Sequence, residues 1–108
     1  MKDITNMKEV TNFRWRTRKG VFVQPANMET RHLFFTLRMI WNHSAPEEMH
    51  LHPFQKYEFT EYYTVAYMRK AVRACVIELK RRTDLTHYYE SQLATIYRYL
   101  SQGERVTW

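Results

Sequence analysis

Residues 29–43 read ETRHLFFTLRMIWNH, and no other stretch limits the fold as tightly. Leu33, Phe34, Leu37, Ile40 and Trp41 fall at i, i+1, i+4, i+7 and i+8, the stripe of an α-helix packed on a core. Asn27 and Thr30 are candidate N-caps, and Asn42-His43-Ser44-Ala45-Pro46 marks the end. Phe35 and Met39 lie off the stripe, close in direction to His32, Thr36 and His43, while Arg31 and Arg38 share a further face. Such a helix is either packed on two sides or keeps a second apolar strip for a partner.

Two more helices follow from spacing by threes and fours. Val65, Met68, Val72, Cys75, Val76 and Leu79 predict a helix from about Glu61 to Arg82, with Thr60 as its cap. Tyr89, Leu93, Ile96, Tyr97 and Leu100 predict another from about Thr86 to Leu100, capped by Asp84 or Thr86. The short Thr83–Leu85 link makes these two an antiparallel pair. Residues 44–59 are the main irregular connection. There Ser44 and Glu47 have capping-box spacing, and Pro46 suits the first turn of a short helix that stops before Pro53.

Ahead of the helices, NFRWRTRKGVFVQP alternates Phe13, Trp15 and Thr17 with Arg14, Arg16 and Arg18. A strand would put the aromatic rings on one face and the guanidiniums on the other. Lys19-Gly20 can turn the chain, and Val21-Phe22-Val23 can return it. The segment is a small basic hairpin or, alternatively, an extended arm that orders against a partner. The expected fold class is therefore mainly α (α+β): three main helices around one core, with an N-terminal basic β-hairpin or arm. Residues 1–27 form the arm or hairpin and 28–108 the helical part of one compact domain, since 108 residues suffice for one modest core.

Composition removes several function classes. With 44% hydrophobic and 16% aromatic residues the chain is too apolar to stay disordered. The two glycines, Gly20 and Gly103, cannot build a phosphate-cradling loop or a dinucleotide fingerprint. A single cysteine, Cys75, excludes an internal disulfide framework and suits a reducing compartment. No run approaches the ~18 apolar residues of a membrane span, and MKDITNMKEV lacks the apolar core of a signal peptide. A soluble protein of the cytoplasm, without membrane attachment, is expected.

The net charge of +6 is unevenly spread. Residues 1–20 hold six basic and two acidic side chains, residues 21–68 three and five, and residues 69–108 eight and four. Both ends are thus basic and the middle mildly acidic, a balance that favours an anionic partner or simply keeps a small domain soluble.

The histidines do not assemble into a strong metal motif. His32 and His43 point the same way on a helix but stand about 16 Å apart along it, too far to share one ion. His50 and His52, in EEMHLHP, lie on one side of an extended segment with Glu47 nearby. They are the residues that come nearest to a metal-assisted hydrolase or nuclease, although no metal, cofactor or catalytic residue is assigned. Cys75 sits in a helix seam, where packing is the expected role.

What remains is arginine and tyrosine. Arg14, Arg16 and Arg18 on the hairpin, Arg31 and Arg38 on the first helix, and Arg69, Arg73 and Lys80 on the second are the expected electrostatic contacts. Trp15 is the expected anchor, with Tyr62, Tyr63, Tyr67, Tyr88 and Tyr99 beside polar faces. Charged helix faces are more often simply solvated, and tyrosines often rim a small core.

A short, basic, aromatic-rich domain with the RHLFFTLRMIWNHSAP segment, Arg31–Pro46, resembles the small accessory proteins of tailed-phage genomes in general appearance. That resemblance implies a host-takeover or anti-defence protein acting in the host cytoplasm by stoichiometric binding, and it transfers no functional residue. The expectation is a non-enzymatic binding protein. Its partner is a host protein or nucleoprotein with an acidic surface, or DNA or RNA. A metal-dependent hydrolase at His50/His52 and a self-associating structural module, such as a homodimer, are the alternatives.

Overall fold

The computed structural model describes residues 13–45, 47–52 and 58–102. Expectations for residues 1–12, Pro46, Pro53 and the chain beyond Gln102 lie outside them. Strands β1 (Trp15–Arg16) and β2 (Phe22–Val23) precede helices α1 (Thr30–Ser44), α2 (Val65–Arg81) and α3 (His87–Gln102). Short 3-10 turns occupy Pro25–Asn27 and Glu47–Met49. The architecture is mainly α with a small hairpin, as the periodicity predicts.

Helix α1 is the centre of the molecule. Leu33, Phe34, Leu37, Ile40 and Trp41 are all fully buried, and burial of each side chain contributes about 1.5–3 kcal/mol. Met68, Val72, Cys75, Val76 and Leu79 of α2 meet them, with Ala71 and Ala74 allowing close approach. Leu93 and Ile96 of α3 complete the core. Helix α3 joins α1 through stacked aromatic rings, Phe34 on Tyr89 at 4.4 Å and Trp41 on Tyr99 at 6.2 Å. Those pairs ascend together in both helices, so α3 runs alongside α1 in the same sense. Helix α2 runs opposite to α1, because Thr30 at the start of α1 meets Arg82 just past the end of α2.

Two helix starts differ from the sequence reading, those of α2 and α1, and that of α3 agrees with it. Helix α2 begins at Val65, not near Glu61, because Thr64 rather than Thr60 caps it by accepting from the Tyr67 N–H at 3.1 Å. Residues 61–63 instead form a turn closed by the Tyr63 N–H on Thr60 O at 3.1 Å. Val65 then faces outward, 62% exposed, and leaves the expected seam. Helix α1 starts at Thr30 with Glu29 as the flanking residue and without a side-chain cap; Asn27 lies in a 3-10 turn. Of the two proposed caps for α3, Thr86 accepts from the Tyr89 N–H at 3.1 Å. Asp84 instead accepts from the Thr30 hydroxyl at 2.8 Å.

The connection after α1 is pinned by side chains that imitate backbone pairing. Asn42 donates to Leu51 O at 2.8 Å and accepts from the Leu51 N–H at 2.7 Å. The Trp41 indole donates to Met49 O at 2.9 Å. These bonds satisfy buried backbone groups that no regular element could reach.

Arg82 joins three parts of the chain. Its Nε donates to Glu78 at 2.8 Å and Nη1 to the Thr30 hydroxyl at 2.9 Å, while Nη2 donates to Pro25 O at 3.1 Å and Met28 O at 2.9 Å. Arg82→Ala would remove the cation from a half-buried carboxylate, the Arg82 bond from the Met28 carbonyl, and one of the two bonds that the Pro25 carbonyl accepts. Chemical denaturation is expected to read a loss of about 2–4 kcal/mol. Cys75 is wholly buried, and burial pushes its thiol up to about 12. A thiol reagent at neutral pH should therefore leave the native protein unmodified and label Cys75 only at the rate of opening.

Candidate functional site

The hairpin builds the most distinctive surface. Trp15 pairs with Val23 and Arg16 with Phe22. Thr17 closes the loop, its N–H donating to Val21 O at 2.8 Å and its carbonyl accepting from the Gly20 N–H at 2.9 Å. Gly20 adopts φ 84°, a left-handed conformation that strains any side chain. The alternation then sorts the residues. Phe13 and Trp15 turn inward to the core, while Arg14 and Arg18 are exposed and Arg16 is half-buried.

Tyrosines from the turn before α2 and from its first turn hold the hairpin in place. Tyr67 donates to Arg14 O at 2.8 Å and accepts from the Arg16 N–H at 2.7 Å, and Tyr63 donates to Arg16 O at 2.7 Å. The outer edge of β1 is thereby occupied by phenol groups instead of a third strand. Tyr67 also stacks on Trp15 at 5.7 Å, and Tyr63 lies against the same indole at 5.2 Å.

On the outer face, the Arg16 guanidinium lies over the Tyr62 ring at 4.9 Å. Phe22 meets the same ring edge-on at 6.2 Å. Phe22 is 49% exposed and Tyr62 44%. Exposed rings and guanidiniums thus stand together, and among the described residues Arg14 and Arg18 have no carboxylate partner. Beside β1 a cleft of about 150 Å³ is lined by residues that include Arg16, Arg18, Met39, Glu58, Phe59 and Tyr63.

The structure places Arg16 with Phe22 and Tyr62, sets Arg18 with Arg16 on the lining of the cleft, and leaves Arg14 exposed two residues before Arg16. Trp15, the expected anchor, is 4% exposed: it packs in the core and contributes to the lining of the cleft beside β1. Arg31 and Arg38 belong to another surface and are partly engaged within the protein. Both guanidiniums lie over Phe35, at 5.5 and 4.7 Å, and Arg38 donates to the Tyr88 hydroxyl at 3.0 Å. Phe35 is consequently half-covered by the chain's own arginines, and Met39 lines the cleft, so the second strip of α1 is not a continuous free face. Lys80 lies over Tyr97 at 4.9 Å, and Arg69 and Arg73 are half-buried along α2. Phe22 escaped notice in the sequence because it read only as part of a β-rich return strand; its placement opposite Arg16 is the signal that register supplies.

The histidines have different surroundings. His32 is exposed, His43 packs edge-on against Phe59 at 4.6 Å, and a His50 ring nitrogen lies 3.1 Å from Ala45 O. His52 and Glu47 are exposed, and among the described residues no three histidine, cysteine, aspartate or glutamate side chains converge as a metal site would require.

Tyr67 carries the electrostatic signature of the hairpin dock. Burial pushes its phenol from 10.0 up to about 12, opposed by the Arg16 N–H that it accepts and aided by Tyr62 and Tyr63. Because its folded value lies above the unfolded one, its stabilising contribution is complete below pH 10 and disappears as pH rises toward about 12. Ultraviolet titration of the native protein should show a late-ionising tyrosine that Tyr67→Phe removes. No helix among the described residues is long and apolar enough to cross a membrane. The chain matches no protein-family model, no curated protein and no solved structure.

Proposed function

We propose that this chain is a non-enzymatic binding protein that docks an anionic partner through the outer face of the hairpin. The partner is nucleic acid or the acidic surface of a nucleic-acid-handling protein. The observation that carries the reading is the grouping of exposed Phe22 and Tyr62 with Arg14, Arg16 and Arg18. Exposed aromatic rings beside guanidiniums combine the two residue classes that dominate interface centres. The net charge of +6 adds long-range attraction toward any polyanion. The general likeness of Arg31–Pro46 to phage accessory proteins makes a host nucleoprotein the natural target, engaged stoichiometrically in the host cytoplasm.

Heparin is a suitable first polyanion. Its affinity for the full-length protein is expected to fall linearly with salt on logarithmic axes. Replacing Arg14 and Arg18 with serine should reduce that slope by about one per arginine, with circular dichroism unchanged. Binding indifferent to salt and to both substitutions would remove the reading.

A further inference from the structure

The hairpin face has a more specific chemistry than positive charge, and the following inference rests on the polyanion-binding reading above. We infer that it is a binding site for single-stranded nucleic acid, in which Phe22, Tyr62 and the Arg16 guanidinium stack unpaired bases while Arg14 and Arg18 hold the flanking phosphates. Three observations converge. First, Arg16 is fixed over Tyr62 at 4.9 Å and reaches across the turn, its Nη2 lying 3.7 Å from the site of a Cβ at Gly20. A guanidinium held in this way can offer its outer face to a base as a further layer of the stack. Second, Phe22 is cross-strand from Arg16, half exposed, and turned edge-on to Tyr62, so flat apolar area remains beside the guanidinium. Third, Arg14 and Arg18 are both exposed and stand in the chain on either side of Arg16, so phosphate contacts flank the stacking guanidinium.

Charge complementarity selects the occupant. The hairpin brings four cations, Arg14, Arg16, Arg18 and Lys19, against the two neighbouring carboxylates Glu58 and Glu61. An acidic peptide would satisfy the cations but does not by its nature bring planar rings to the stacking surface. Nucleic acid is the polyanion whose other half is flat and aromatic. A duplex keeps its bases stacked on each other, and the inner face of this hairpin is buried, so it cannot enter a groove as a free ribbon.

The test is fluorescence anisotropy with the full-length protein and four labelled probes: an oligothymidylate of about ten nucleotides, an abasic strand of the same length, a duplex of the same length, and polyglutamate. The oligothymidylate is expected to bind about ten-fold tighter than the abasic strand. Phe22→Ala, at an exposed position, should weaken thymidylate binding more than abasic binding and so narrow that difference, with the circular dichroism spectrum unchanged; an unchanged thymidylate-to-abasic ratio would overturn stacking on Phe22. Equal affinity for thymidylate, abasic strand and duplex, with normal salt dependence, overturns the stacking site but leaves the polyanion reading standing. Preference for polyglutamate overturns it in favour of an acidic protein partner. Absence of salt-dependent binding to all four probes overturns both.

Discussion

The guanidinium of Arg82 is the interaction around which the chain closes. It stands where α2 ends, α1 begins and the hairpin hands over to the helices, and it satisfies groups from all three. Arg82 reaches the carbonyls of Pro25, which also accepts from the Met28 N–H, and of Met28, just past the 3-10 turn. An arginine can supply four donors in one plane, whereas lysine offers only a point charge. Glu78, one turn earlier on α2, keeps the cation compensated, and Thr30 passes the network on to Asp84 at the α2–α3 link. Fixing these ends sets the antiparallel course of α1 and α2 and the point at which the hairpin is delivered to the core.

With that corner fixed, the hairpin is held along its length by a second device. Tyr63 and Tyr67 occupy the outer edge of β1 with hydroxyl groups while their rings pack on Trp15. A two-stranded ribbon alone is marginal in water. Here the buried face contributes Phe13 and Trp15 to the common core, and the blocked edge cannot recruit another strand. The outer face is left with the arginines, Phe22 and Tyr62, which makes rigid support of a charged, aromatic surface the principal structural consequence of the N-terminal segment.

The core was largely legible in the sequence. Helical spacing identifies Leu33, Phe34, Leu37, Ile40 and Trp41, and period two separates Trp15 from Arg14 and Arg16, because both patterns are local consequences of backbone geometry. Helix starts were less legible. Thr60 and Thr64 are chemically equivalent caps, and only the packing of Tyr63 and Tyr67 on the hairpin selects Thr64. Val65 satisfies the helical period yet faces outward, since a period names a face without saying where the neighbouring element stops.

For the candidate site, sequence alone determined that three guanidiniums share one side of a β-rich segment and that no phosphate-loop motif is present. Tertiary structure decided the rest. It buried Trp15, drew Arg31 and Arg38 onto Phe35, and gathered Phe22, Arg16 and Tyr62 from segments about forty residues apart. The physical reason is that alternation fixes the direction of a side chain relative to its own backbone, whereas exposure depends on what other parts of the chain pack against it.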